Sequence, residues 1–461
     1  MLTISDPRRG FSRRDFLRIG GLALGASALP SPAALQAAQQ NALSTGKSVV
    51  FLFLHGGPSQ TETFDPKMSA PSGVRSATGE RATRLPGVTF GSTFERLANL
   101  ADRMTIVRSF RSGNGNHDIK PIVCKDTGDA NLGALYARAV GANRPDNGMP
   151  TNAAVFPRAV EPASQKRTSS FGNFVSTGGL GSAYQPFVPG AGGELQEAMR
   201  LSLSPDRLDD RRQLLGALGE VRRRLEHSQE AAGLERMQQQ AFETILGGVA
   251  DAFDLSKEDP KTIARYDTAP LARPDQISRK WNNYNNYVDN AKTLGKLMLL
   301  ARRLCEAGCG FVTVTTNFVW DMHADVNNVG VEEGMQYMGL PLDYAVSAFI
   351  EDCKERGLSD DILLVVTGEM GRTPRINARG GRDHWGGLTP LLLSGGGLSH
   401  GQVIGTSTSD AGQPQSPPIE IPNLVSTIMH TLVDVGRLRI AGGMPAEVIK
   451  AGSAAPIPGL A

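Results

Sequence analysis

Nine residues of this sequence have the types and the company to do metal and anion chemistry: His55, His117, Asp321, His323, Glu369, Arg372, Arg382, Asp383 and His384. They fall in four clusters. His55 stands alone, His117 precedes Asp118, Asp321 and His323 are two apart, and Glu369 to His384 share a glycine-rich loop. Imidazole nitrogens and carboxylate oxygens together suit a divalent metal, with zinc first and manganese or iron next; two ions would draw on all of these ligands. If extended, Asp321 and His323 would present both side chains to one side. Arg372 and Arg382 are the candidates for holding an anionic oxygen bidentately. Each residue alone reads as well as an ordinary hydrogen-bonded side chain. The set is stronger than its members.

Such clusters make a site only if the fold brings them together. Four apolar runs precede them: Ser48–Leu54 before His55, Met104–Val107 before His117, Phe311–Thr315 before Asp321, and Ile362–Thr367 before Glu369. Near-continuous apolar runs of this length read as buried strands. Leu388–Leu393 reads as another. Helical spacing predicts Phe94–Leu100, a helix after Asp118 ending near Gly128, Asp289–Glu306, Tyr344–Arg356 and a late helix from Pro422 to Val433. Strands alternating with helices predict an α/β fold with a mostly parallel sheet, whose C-terminal edge is where ligands gather.

The N-terminus carries a different signal. Ser12-Arg13-Arg14-Asp15-Phe16-Leu17-Arg18 matches the twin-arginine export pattern, followed by the weakly apolar run Ile19–Leu29 and the small residues Ala26-Ser27-Ala28. The run is too short and glycine-rich to span a bilayer. Residues 1–38 are therefore read as signal and linker, 39–193 as the first part of the α/β domain, 194–288 as a mostly helical insertion, and 289–461 as its second part. The insertion is assigned from Leu214, Leu218, Val221 and Leu225 at helical spacing among Glu, Arg and Gln. The expected partner during export is the twin-arginine translocase, and the expected location is the periplasm or the cell surface. A formal net charge of +2, with no basic stripe interleaved with aromatics, argues against a nucleic-acid partner. The four cysteines have no disulfide-like spacing.

Several motifs resemble one family. The segment Phe94–Gly128 is similar to the helix, strand and nucleophile loop of the alkaline phosphatase/sulfatase superfamily. Leu363–Gly371 resembles its metal-delivering strand, and Ile421–Thr431 its late helix. More closely, Gly56–Ser59, Trp320–His323, Gly368–Pro374 and Gly381–Trp385, with the twin-arginine signal, resemble domain of unknown function 1501. The resemblance implies an alkaline phosphatase/sulfatase-like α/β/α sandwich and a metal-dependent hydrolase of phosphate or sulfate esters. It implies a small-molecule or glycan ester as substrate, with Glu369, Asp383 and His384 as ligands and the arginines as anion contacts. The sequence departs from the catalytic pattern at Gly113–Asp118, which has no hydroxyl or thiol nucleophile, and at His55, where the superfamily has Asp. A water activated by the metal is then the expected attacker. The competing expectation is a non-catalytic relative that keeps the fold, with or without the ion, for binding or assembly at the cell surface. A serine hydrolase built on Gly397–Gly401 fails on context, because Ser399 has no following helix.

Overall fold

The structure is a computed structural model and describes residues 42–189 and 249–460. Its centre is β1 (Ser48–Phe53), whose six residues are all buried. Alternate side chains of a strand point to opposite faces, so β1 serves two cores at once. Val49, Phe51 and Phe53 join α2 (Leu132–Val140) and α5 (Ile421–Leu432) on one face, while Val50 and Leu52 join α3 (Tyr284–Glu306) and α4 (Leu340–Glu355) on the other. A short helix, α1 (Glu95–Asn99), packs on the same side as α4. The result is a three-layer architecture, a sheet with helices on both faces.

Among the described residues the main sheet has seven strands. The others are β4 (Thr105–Val107), β5 (Asn152–Val155), β6 (Phe311–Val314), β7 (Ile362–Thr367), β10 (Leu391–Gly395) and β11 (Gln402–Ile404), in the order β11-β4-β10-β7-β1-β6-β5. β1 runs parallel to β6 and β7, with Val49 opposite Phe311 and Leu363. β10 is antiparallel to both its neighbours, β7 and β4. Two reversals restore direction, so β1, β4, β6 and β7 all end at one edge of the sheet. Those are the four strands followed by the polar clusters. Two small ladders complete the sheets: β2 (Glu80–Ala82) with β3 (Thr89–Gly91), and β8 (Gly371–Arg372) with β9 (His384–Trp385).

The mostly parallel sheet with flanking helices agrees with the sequence expectation, and the departures have local causes. The strand expected at Leu388–Leu393 begins only at Leu391. Pro390 has no N–H for a ladder, which delays pairing until after it. After Asp118 there is no helix but a single 3-10 turn, Lys125–Thr127, because Pro121 interrupts the pattern; the next helix is α2. α3 starts at Tyr284 rather than Asp289, since Tyr287 extends its buried face among polar Asn residues. The expected signal and most of the expected insertion lie outside the described residues. No described helix is long and apolar enough to cross a membrane.

A buried ionic network ties α3 to α4. Arg302, 1% exposed, donates to Asp352 at 2.9 Å, Glu258 at 2.6 Å and Glu306 at 2.7 Å. Asp352 also accepts from Tyr266 and Arg356. Removing Arg302 would leave the buried carboxylates of Asp352 and Glu258 without their innermost partner. Arg302→Met should therefore lower stability by roughly 3–5 kcal/mol, read by urea denaturation.

Asp343, at the start of α4, accepts the backbone N–H groups of Arg96 and Leu97 at 3.0 and 2.8 Å and so caps α1. Burial pushes its carboxyl up to about 6 despite those bonds. The folded chain thus holds this proton more tightly than the unfolded chain, where an aspartate titrates near ~4. Its contribution is full below about pH 4 and is lost as pH rises through about 6. Urea titrations at pH 4.5 and 7 should show a loss in the wild type that Asp343→Asn lacks, on the order of 2 kcal/mol.

Candidate metal centre

Four loops converge beyond the shared strand edge, and their meeting point is one carboxylate. Asp321, on the loop after β6, is 6% exposed. Its Oδ1 lies 2.9 Å from His323 Nε2, 3.3 Å from His384 Nε2 and 3.5 Å from His117 Nε2. Arg372 Nη2 donates to the same oxygen at 2.6 Å. The other oxygen, Oδ2, accepts from Asn328 Nδ2 at 3.0 Å. Burial alone would raise the Asp321 pKa, but the three imidazoles and Arg372 outweigh it and hold the carboxyl far below the usual range.

Each element has a reason to be there. The β8–β9 ladder sets Arg372 opposite His384 and fixes the height of both beside Asp321. The His55 carbonyl, at the end of β1, accepts the N–H groups of Val319 and Trp320 and draws the Asp321 loop across the strand ends. Gly56, at φ +116°, is what makes that approach fit. A Cβ there would stand 2.5 Å from the Asp321 nitrogen.

Two imidazoles have their outer nitrogen held by a carboxylate. His117 Nδ1 meets Glu369 at 2.8 Å, and His323 Nδ1 meets Asp383 at 3.0 Å. A carboxylate at Nδ1 orients each ring with Nε2 turned toward Asp321, as the outer partners of metal-ligating histidines do. Burial lowers the His117 pKa, but the carboxylates of Asp321 and Glu369 outweigh that and leave it raised. Its Nε2 is buried and has no hydrogen-bond partner. His117, Asp321 and His384 offer donor atoms that all lie within 4.8 Å of one another. An orphaned, buried imidazole nitrogen beside a carboxylate and a second imidazole fits a divalent cation, and the N/O donor set suits zinc.

The other expected residues are placed differently. Glu369, fully buried, also accepts the Gly56 N–H at 2.9 Å and stands behind His117 rather than beside Asp321. Asp383 likewise stands behind His323. Arg372 lies within the cluster, yet all its donors are engaged, by Gly57, His323, Arg382, Gly56 and Asp321. Arg382 spends its guanidinium on buried Glu62, at 2.8 Å, and on the carbonyls of Thr373, Pro374, Val74 and Arg75. No donor of either arginine is left for an external anion. His55 contributes its carbonyl, while its ring is ringed by Phe53, Phe171, Phe174 and Phe318, with both nitrogens unpartnered. Burial lowers its pKa to about 4, so it is neutral. Asp118 turns away to pair with Lys120. Ser399 lies in the loop before β11, and His430 bonds within its own helix to Ser426, so neither builds a hydrolase triad.

Sequence reasoning missed two contributors. Glu62 is buried opposite Arg382, and Asn328 orients Asp321 while its own oxygen accepts from Asn283 at 2.7 Å. The run Asp325–Asn328 was visible only as polar loop, with nothing in its spacing to mark it.

Solved structures with similar chain paths include the PsFucS1 sulfatase from Pseudoalteromonas sp., at 10% identity over 87% of this chain and 72% of that one, with a TM-score of 0.36. The phosphonate monoester hydrolase SpPMH from Silicibacter pomeroyi matches at 13% identity over 84% and 73%, with a TM-score of 0.32. That of Agrobacterium radiobacter matches at 12% over 84% and 74%, with a TM-score of 0.28. No relative of curated function matches by sequence. From residue 46 to residue 441 the sequence matches the family described as Protein of unknown function (DUF1501), and the chain belongs to that family.

Proposed function

We propose that this chain is an exported, metal-dependent hydrolase-like protein that acts on phosphate or sulfate esters. The observation that carries the reading is the His117 imidazole, with Nδ1 held by Glu369 and a buried, partnerless Nε2 turned toward Asp321 and His384. His117, Asp321 and His384 would hold the ion, with His323 beside them; zinc is the first choice, manganese or iron the next. A divalent cation there supplies Lewis acidity, polarising an ester oxygen and making water acidic enough to attack near neutral pH. Glu369 and Asp383 keep the imidazoles in the ligating tautomer. Arg372 offsets the carboxylate charge and fixes Asp321, which a bare cluster of acids would not achieve. Export through the twin-arginine translocase to the periplasm or cell surface rests on the Arg13-Arg14 motif.

Of the four clustered side chains, His384 is the most open. Exposure of the side chains rises from 8% at Asp321 through 11% at His117 and 16% at His323 to 35% at His384. A substrate therefore meets His384 first, from the cleft that His384 and Trp385 line.

Three measurements test the reading. Elemental analysis after native export should find a stoichiometric transition metal in the wild type and strongly reduced metal in His117→Ala and Asp321→Ala. Background metal in the wild type would sink the metal centre. Glu369→Gln should weaken metal affinity roughly 10–100-fold while leaving the ligands in place. A panel of aryl phosphates, phosphodiesters and aryl sulfates should show turnover that His384→Ala abolishes. Full occupancy with no turnover would instead assign the chain to binding or assembly.

A further inference from the structure

With Arg372 and Arg382 committed, an anionic ester needs another donor, and the cleft beside His384 offers one. This cleft, of about 830 Å³, is lined among others by Arg111, Asn114, His384 and Trp385, and by the carboxylates of Asp126 and Glu420. Arg111 is paired with Glu420 at 2.9 Å. Asn114 is in a different state. Its Oδ1 accepts from Lys120 Nζ at 2.9 Å and from the Asn116 N–H at 2.9 Å. Both bonds fall on the oxygen, so the amide nitrogen is turned away from them, and among the described residues Nδ2 meets no acceptor.

Lys120 is what fixes that orientation. It is 4% exposed, and its ammonium donates to Asn114 Oδ1, to the Asn116 carbonyl and to the Asp118 carboxylate. Three donors are used and none is spare. The same loop is pressed against the metal-side strand: Gly113 N–H donates to the Gly386 carbonyl at 3.1 Å, and a Cβ on Gly115 would stand 3.0 Å from His384 Cβ. A donor held in advance on the rim of a polar cleft, next to the most open imidazole of the cluster, is suited to an oxyanion.

We propose that Asn114 is a substrate-contacting residue whose Nδ2 donates to a non-bridging oxygen of a phosphate or sulfate ester, with Lys120 as the buried residue that aims it. The proposal deepens the metal-dependent reading and rests on it for the reaction, but the contact itself is with the anion. It also assigns a task to the loop that carries no nucleophile.

The test is calorimetric binding of inorganic phosphate to the full chain, with metal content measured on the same samples. Asn114→Asp keeps the acceptor for Lys120 and turns the free donor into a carboxylate oxygen. It should weaken phosphate binding about tenfold or more at unchanged metal content. Asn114→Ala should weaken it less, since it removes the donor without adding charge. For an ester that is turned over, both changes should raise KM more than they lower kcat. Phosphate binding by both variants at the wild-type affinity overturns the contact, and so does a metal-loaded wild type that binds no phosphate. A wild type without metal that still binds phosphate through Asn114 overturns the metal centre and leaves the contact standing.

Discussion

One oxygen atom, Asp321 Oδ1, is the point on which the site depends. A buried carboxylate is costly unless positive or hydrogen-donating groups surround it, and here three imidazoles and one guanidinium do so from four directions. None of those groups belongs to the same strand-loop unit as all the others. The requirement to satisfy one charge therefore adds to the backbone contacts that fix the relative position of these loops. Arg372 is the firmest of the partners, because its remaining donors are tied to the carbonyls of Gly56, Gly57 and Arg382 and cannot follow a moving carboxylate.

The molecule uses buried arginine in the same way three times. Arg302 binds α3 to α4 through Asp352 and Glu258, Arg382 binds its loop to Glu62 and to the carbonyls of residues 74 and 75, and Arg372 binds the metal-side loop to the end of β1. In each case the planar fork meets several fixed acceptors, which a lysine could not do. Only the third lies in the functional cluster. All three buried arginines therefore serve as braces, including the two near the cluster.

That distinction explains what was legible in the sequence. The strands were legible because β1, β6 and β7 are buried on both faces and leave unbroken apolar runs, and the order of clusters after strands followed from them. The gathering of His117, Asp321, His323 and His384 at one edge was legible for the same reason. The division of labour among them was not. Glu369 and Arg382 carry the same side chains whether they face an ion, a histidine or another loop, and only the packing decides. His55 sits at the right strand end, yet four phenylalanines, two of them from the loop at residues 171–174, enclose its ring. No local spacing reports a wall that comes from more than a hundred residues away.

The spread of the candidate ligands along the chain has a consequence for when a cation could be chosen. More than half of the sequence separates His117 from His384, and Asp321 comes between them on a third loop. Neither a nascent nor a partly folded chain can present the three together, because β4, β6 and β7 must first be laid into one sheet. An ion that joins them then acts as a clasp on a very long loop, holding back the unfolded chain as a cross-link would. Selection of a metal by this cluster would accordingly belong to the moment at which the sheet closes.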